Sequence, residues 1–124
     1  MNQKTILVVD DEPQLTEMLK TRLEANSYKV IRAHDGTECL VKAQEDPPDI
    51  ILLDIKMQKM DGYMALRRLR QDERTKKIPV IMLTAYEHMK DLFAVEGISD
   101  FIIKPFNHQD LLKRIAQVLE KQDA

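Results

Sequence analysis

Side chains that could carry out chemistry stand directly after several apolar segments of this chain. Asp10 and Asp11 follow the first segment, Asp54 follows the third, and Thr84 and Lys104 follow the fourth and fifth. If the first and third segments are neighbouring strands, three carboxylates converge in one pocket, and their repulsion raises the proton affinity of at least one. Mg²⁺ suits such a shallow site with few carboxylates. With a lysine and a hydroxyl on the same rim, the set predicts phosphoryl transfer, which mainly demands positioning and charge neutralisation.

Five short apolar segments must position these residues, and their regular spacing predicts that they are strands. Four of them are nearly continuous in Ile, Leu and Val, which is typical of parallel strands covered on both faces. The second segment mixes Lys29 and Arg32 with apolar residues, which favours an edge strand. The predicted strands are residues 5–9, 28–33, 50–53, 79–83 and 100–103.

Amphipathic helical patterns fill the intervals between the strands. The first predicted helix has Pro13 in its first turn, and the last has Asn107 as N-cap with Asp110 in a capping-box position. Weaker helical patterns lie at residues 37–44, 63–72 and 87–95. This alternation predicts one α/β domain, residues 1–124, whose parallel sheet carries helices on both faces. Functional groups in such a sheet collect at the carboxyl ends of the strands.

Composition and charge narrow the class of protein further. The 124 residues include 19 basic and 21 acidic side chains, a formal net charge of −2, which gives no electrostatic reason to expect binding to nucleic acid or to an anionic membrane. The single cysteine, Cys39, allows no intrachain disulfide and fits a reducing compartment. No signal peptide is indicated, and no apolar run approaches the ~20 residues that cross a bilayer. We therefore expect a cytoplasmic protein.

Five motifs in order make the chain resemble the receiver domains of two-component response regulators, the CheY-like family. The resemblance runs from about residue 4 to residue 120, and each motif falls at or near a predicted strand end. It implies the flavodoxin-like (βα)5 doubly wound fold with a five-stranded parallel sheet in the order 2-1-3-4-5. The motifs are VVDDE (8–12), LLDIKM (52–57), MDG (60–62), LTA (83–85) and DFIIKPF (100–106).

The resemblance implies a role for each acidic residue of the predicted pocket. Asp54 would be the phosphoacceptor, attacking a phosphohistidine on a sensor histidine kinase or a phosphotransfer protein. Asp11 and Asp54 would bind Mg²⁺ directly, together with the backbone carbonyl of Lys56, and Asp10 would act largely through water. Such a protein catalyses its own phosphorylation and dephosphorylation and is not a conventional enzyme.

The resemblance also implies a conformational switch. Thr84 would hydrogen-bond the phosphoryl group, Lys104 would pair with it, and Phe101 would swing inward behind Thr84. The Lys104–Pro105 peptide would be cis, which is unusual enough to check directly. Contacts made only in the phosphorylated state would rearrange the surface of the fourth helix, fifth strand and fifth helix (the α4-β5-α5 face), which would dock a downstream protein. The protein would be a monomer or a phosphorylation-dependent homodimer.

Three departures from the family pattern affect the predicted output surface. Gln58 replaces the proline that commonly follows the methionine after the phosphoacceptor, which removes a rigid turn residue but no catalytic group. The stretch from Thr84 to Gly97 is about two residues shorter than is common in the family. The aromatic residue is Phe101 rather than tyrosine, so it has no hydroxyl. The resemblance therefore does not predict how a partner docks on this surface.

Other features have simpler interpretations. Asp61–Gly62 is interpreted as a turn with a helix start, and Cys39 as a partly buried small residue. The arginine-rich stretch 67–70 (RRLR) is predicted to be a solvated helix face, because Asp72 and Glu73 lie beside it.

Four functions remain open at this point. The leading one is a single-domain receiver, and the second is the receiver part of a longer DNA-binding transcription regulator. The chain stops directly after the fifth helix without a linker, which favours the first, although a shortened chain would look the same. A phosphorylation-independent binding module is disfavoured by the complete set of acids, threonine and lysine. A flavodoxin-like small-molecule binder or phosphatase would need a cofactor loop, and no Gly-rich loop follows any predicted strand.

Overall fold

The strands form one parallel sheet with the order β2-β1-β3-β4-β5. The computed structural model describes residues 3–57, 60–85 and 97–123. Both the fold class and the strand order predicted from the sequence are confirmed, with β2 at an edge. The strands are β1 (Thr5–Val9), β2 (Lys29–Ala33), β3 (Ile50–Asp54), β4 (Val80–Ala85) and β5 (Asp100–Lys104). Strands β3, β4 and β5 run one or two residues further than predicted, so that Asp54, Thr84 and Lys104 are the last or next-to-last residues of their strands.

In the described residues three helices connect strands and a fourth follows β5, and their starts follow the local sequence. These helices are α1 (Pro13–Glu24), α2 (Gly36–Glu45), α3 (Gly62–Gln71) and α4 (His108–Asp123). The side chains of Asp35 and Asp61 cap α2 and α3, and that of Asn107 caps α4, in each case by accepting from backbone N–H groups of the first turn. The Asp110 carboxylate of the predicted capping box accepts a hydrogen bond from Arg114. The helix predicted at 87–95 lies outside the described residues.

The sheet separates two apolar cores, because successive side chains of a strand point to opposite faces. On one face, Leu53 and its neighbours pack with α2 and α3. On the other, Leu52 and its neighbours pack with α1 and α4. All five residues of β3 are buried. The central strand is therefore held from both sides, and Asp54 at its end has a fixed position.

Two predictions about individual side chains are wrong. Cys39 is completely buried rather than partly buried, because α2 packs it into the core beside α3. Arg70 is not part of a solvated face: it is half-buried and donates hydrogen bonds to three backbone carbonyls. Arg67 and Arg68 are exposed as predicted.

Among the residues that the structure describes, no helix combines the length and the hydropathy needed to cross a bilayer.

Candidate functional site

The register of the central strands brings the predicted site residues to one edge of the sheet. Val9 is level with Leu53, so Asp10 and Asp54, one residue further on, are level with each other. Ala85 is paired with Lys104, and Asp54 with Leu83, so the lysine and the threonine at position 84 end their strands at the same edge. Parallel strands thus collect these polar groups at their carboxyl ends.

Three carboxylates form the centre of the site. One oxygen each from Asp10, Asp11 and Asp54 lies within 4.8 Å of the others, close enough to hold a single cation. Asp10 is 0% exposed and Asp54 6% exposed, whereas Asp11 is exposed. Two buried carboxylates and one open to solvent leave the cluster accessible from one side only.

Lys104 joins two of these carboxylates. Its Nζ lies 2.7 Å from Asp10 Oδ2 and 3.3 Å from Asp54 Oδ1, and Glu12 Oε1 is 3.9 Å away. The peptide bond between Lys104 and Pro105 is cis. Asp10 also accepts a hydrogen bond from the backbone N–H of Glu12 through its other oxygen, at 3.0 Å. Both oxygens of Asp10 therefore have hydrogen-bond donors within the protein.

The electrostatics of the site raise the proton affinity of Asp54 when no cation is bound. The surroundings together raise the pKa of Asp54 to about 6: burial is the largest cause, the negative charge of Asp10 acts in the same direction, and Lys104 opposes both effects. Burial alone would lower the pKa of Lys104, but its hydrogen bonds and charge interactions with Asp10 and Asp54 together raise it above its ordinary value. The lysine is therefore charged at neutral pH and offsets only part of the repulsion between carboxylates.

A small pocket opens onto Asp54. It has a volume of about 190 Å³, which is room for water and a small tetrahedral anion but not for a nucleotide. Its walls are Asp11, Glu12, Asp54, Ile55, Lys56, Ala85 and Lys104. Lys56 is an exposed residue of this wall.

Two residues predicted to take part in switching, Thr84 and Phe101, do not line this pocket. Thr84 is 1% exposed, and its hydroxyl donates to the carbonyl of Ala85 at 3.0 Å. Phe101 is partly buried and packs against the core on the α2–α3 side of the sheet. Gln58, between β3 and α3, and the predicted fourth-helix region lie outside the described residues.

One residue that matters at the site was interpreted from the sequence only as part of a helix start. Gly62 begins α3 directly against the end of β3: its N–H donates to the carbonyl of Ile55 at 2.7 Å. A Cβ at this position would lie 2.3 Å from the Asp54 carbonyl oxygen. The glycine of the MDG motif was the available signal, since an obligatory glycine beside a functional residue indicates a close backbone approach.

Comparison with known proteins identifies the family. Residues 6–116 match the family described as the response regulator receiver domain. The DNA-binding dual master transcriptional regulator RpaA of Synechocystis is 38% identical over 120 residues, which is 95% of this chain and 50% of that protein. The chain spans about half the length of the curated relatives that it matches.

Solved structures agree with this assignment. The chemotaxis protein CheY4 of Vibrio cholerae superposes with a TM-score of 0.85 at 33% identity, over 94% of this chain and 99% of that one. The receiver domain of the sensor histidine kinase PA1611 from Pseudomonas aeruginosa, solved with a magnesium ion coordinated in its active-site cleft, has a TM-score of 0.88 at 27% identity. It covers 96% of this chain and 99% of that one. The chain therefore belongs to the response regulator receiver domain family.

Proposed function

We propose that Asp54 accepts a phosphoryl group from a phosphohistidine in a Mg²⁺-dependent reaction, and that the protein works as a phosphorylation switch. The observation that carries this proposal is the cluster of three carboxylates within 4.8 Å, of which two are bridged by Lys104. Such a cluster costs free energy unless a cation occupies it. A site that is costly when empty is suited to binding a metal together with a charged group.

The donor set fits Mg²⁺. It offers hard carboxylate oxygens from Asp11 and Asp54, and one side is open for water and phosphate oxygens. Lys56 lies in the pocket wall, and its backbone carbonyl would be a further ligand. Asp10 would act through water, which agrees with the hydrogen bonds that already occupy both of its oxygens. The bound ion would keep Asp54 ionised and neutralise charge on the phosphoryl oxygens.

The protein's own residues would then perform the transfer. A carboxylate oxygen of Asp54 forms the new bond to phosphorus while the bond from phosphorus to the histidine nitrogen breaks, and that nitrogen keeps the electron pair. Lys104 moves from its ion pairs to the phosphoryl oxygens, where its charge is needed. Thr84 rotates its hydroxyl from the Ala85 carbonyl to a third oxygen. Hydrolysis of the acyl phosphate restores the carboxylate.

The signal would leave through strand β5. Phosphorylation adds charge and strong acceptors at one point, and contacts from Thr84 and Lys104 exist only in that state. Phe101 lies on β5, and its backbone carbonyl accepts a hydrogen bond at 2.9 Å from Arg114 of α4, which also forms an ion pair with Asp100 at 3.0 Å. The output surface consists of the fourth-helix region, β5 and the C-terminal helix, and it docks a downstream protein or a second copy of the chain.

The partners follow from this chemistry. The donor is a sensor histidine kinase or a phosphotransfer protein in the cytoplasm, and the domain itself binds neither nucleic acid nor membrane. A second candidate is the receiver half of a transcription regulator, favoured because RpaA is DNA-binding and the chain spans half of its length. Residues 1–124 form one receiver domain in either case. A phosphorylation-independent binding module is the remaining alternative.

Intact mass spectrometry tests the proposal. We would incubate the wild type, Asp54→Asn and Asp46→Asn with acetyl phosphate, with and without Mg²⁺. Asp46 is an exposed aspartate at the end of α2, so its variant removes one carboxylate elsewhere in the fold. We expect one phosphoryl group on the wild type and on Asp46→Asn, only with Mg²⁺, and none on Asp54→Asn. Hydroxylamine should remove the group, as it does from acyl phosphates. Uptake by Asp54→Asn, or none by the wild type with Mg²⁺, would contradict the proposal.

A further inference from the structure

Arg70 joins two segments that are distant in sequence. Its Nη1 donates to the carbonyls of Lys76 at 3.2 Å and Ile78 at 2.7 Å, in the connection between α3 and β4. Its Nε donates to the carbonyl of Gly97 at 3.1 Å, and its Nη2 donates to the same oxygen. The planar guanidinium thus holds the α3–β4 connection and the chain before β5 at a fixed separation.

The environment of Arg70 differs from that of an ordinary surface arginine. The side chain is half-buried, and burial lowers the pKa of its guanidinium. Among the described residues its hydrogen bonds end on carbonyl oxygens, and no carboxylate there forms an ion pair with it. Arg67, on the same helix, is by contrast exposed to solvent. The hydrogen bonds to these carbonyls offset the free-energy cost of partly burying the charged guanidinium of Arg70.

The other end of α3 touches the phosphoacceptor. Gly62 donates to the carbonyl of Ile55 at 2.7 Å, and its α-carbon is so close that a Cβ would be 2.3 Å from the Asp54 carbonyl oxygen. The ten residues of α3 span roughly 15 Å at 1.5 Å per residue. A helix of this length moves as one body, so a displacement at Gly62 also displaces Arg70.

The segment held by Arg70 leads directly into the strand that bears the switch residues. Gly97 has φ +89°, a conformation that favours glycine, and a Cβ there would lie 3.0 Å from Arg70 Nε. Ser99 donates to the Val80 carbonyl at 2.8 Å and starts the pairing with β4. Phe101 and Lys104 follow on β5.

We propose that Arg70 is a positioning residue of the switch, coupling α3 at the Asp54 end to the start of β5. This inference rests on the proposed phosphorylation of Asp54. It adds a second route to the one through Thr84: a shift of α3 changes the hydrogen bonds of Arg70 to Gly97, because such bonds weaken steeply with distance and angle. A shift of α3 on phosphorylation would therefore change how the start of β5 is held.

Hydrogen exchange measured by mass spectrometry tests this coupling. We would compare exchange in the peptide 97–103 with and without acetyl phosphate and Mg²⁺, normalised to the phosphorylated fraction from intact mass. Arg70→Met should shrink the phosphorylation-dependent change in exchange by about threefold or more, a typical effect of a residue that carries coupling. Arg70→Lys should give an intermediate value, because an ammonium keeps the charge but not the planar fork.

Matched variants separate coupling from simple loss of structure. Arg67→Met makes the same change at an exposed position of α3 and should keep the wild-type ratio. Val30→Ala weakens the core at β2, the opposite edge of the sheet, and should raise exchange equally in both states. If Arg70→Met does not fold, Gly97→Ala disturbs the same contact from the other side and should reduce the ratio likewise.

The outcomes distinguish this inference from the proposed function. If the wild type takes up no phosphoryl group, the proposed function fails and this inference with it. If the wild type is phosphorylated but peptide 97–103 does not respond, or responds equally in Arg70→Met, only the role of Arg70 is overturned. A reduced ratio in Arg70→Met with uptake retained at Asp54 supports it.

Discussion

At the scale of single residues, the site is governed by the cost of placing charges close together. Asp54 lies beside buried Asp10 and is itself 6% exposed, so its charged form is disfavoured when no cation is bound. Lys104 offsets part of this cost through its contacts with both. The same groups that destabilise the empty site are therefore the ones that a metal and a phosphoryl group would use.

Replacing Asp54 by asparagine should stabilise the metal-free protein at neutral pH. The folded-state pKa of about 6 lies above the ordinary 3.8, so the folded protein binds the proton more tightly than the unfolded chain does. The contribution of Asp54 to the free energy of unfolding is therefore greatest below pH ~4. It is lost as the pH rises through ~6 and stays small at higher pH. We expect Asp54→Asn to gain about 1–3 kcal/mol at pH 7.5.

This gain should disappear at acidic pH. Urea unfolding of both proteins between pH 4 and 8, in the presence of a chelator, provides the measurement. The difference in free energy of unfolding should shrink as pH falls from about 6 to about 4, because wild-type Asp54 becomes neutral there. A difference that does not change with pH would contradict the assigned pKa shift.

Removing the charge of Lys104 should have the opposite effect. Lys104→Met leaves the buried carboxylates of Asp10 and Asp54 without their cation, and we expect a loss of about 1–3 kcal/mol in the metal-free protein at pH 7.5. Adding Asp10→Asn should recover part of the loss, since the remaining repulsion is then relieved. Urea unfolding of the two single variants and the double variant measures the coupling. Strictly additive effects would show that the short contact to Asp10 carries no net interaction.

At the scale of elements, the position of helix α3 is constrained at both of its ends. Its first residue lies against the backbone of β3, and its last turn holds the chain before β5. The sequence does show the start of this helix, through the Asp61 cap and Gly62. What it does not show is that one end of the helix contacts β3 beside Asp54 and the other end contacts the chain before β5.

Replacing Gly62 by alanine should be strongly destabilising. The added Cβ would lie 2.3 Å from the Asp54 carbonyl oxygen and 2.8 Å from Ile55 Cα, both backbone atoms, so α3 must move away from β3. We expect a loss of about 2–3 kcal/mol or more from this overpacking. Met64→Ala, at an exposed position of the same helix, should change stability by less than about 0.5 kcal/mol. Thermal unfolding of both variants measures the difference, and equal effects would contradict the close approach.

At the scale of the whole molecule, the fold concentrates its chemistry at one edge of the sheet. The two apolar cores hold β3 from both faces, so Asp54 cannot move away from Asp10 when the site is empty. Burial of the apolar side chains of the central strands offsets the free-energy cost of holding these two carboxylates close together. Binding of a cation should therefore be visible as a change in global stability.

Addition of Mg²⁺ should raise the melting temperature of the wild type. A ligand that binds only the folded state adds about 2.7 kcal/mol at a concentration 100 times its dissociation constant. Asp11→Asn removes the exposed carboxylate of the cluster and should reduce the dependence on Mg²⁺, whereas Asp46→Asn should keep it. Calorimetry over a series of Mg²⁺ concentrations measures this, and a wild-type melting temperature that does not respond would contradict a metal site.

The sequence by itself determined the alternation of strands and helices, the edge position of β2 and the residues that stand at strand ends. These features are local: runs of Ile, Leu and Val, helix caps and motif order can be read along the chain. The strand-end rule and the five motifs together therefore predict Asp10, Asp11, Asp54, Thr84 and Lys104 as one site.

Only the tertiary structure decided the interactions between distant residues. It shows that Lys104 lies closer to Asp10 than to Asp54, that Cys39 is fully buried, and that Arg70 holds three backbone carbonyls instead of facing solvent. The physical reason is that desolvation and contact distances depend on which elements pack together. A stretch such as RRLR has the same local pattern whether its last arginine meets water or the carbonyl of Gly97.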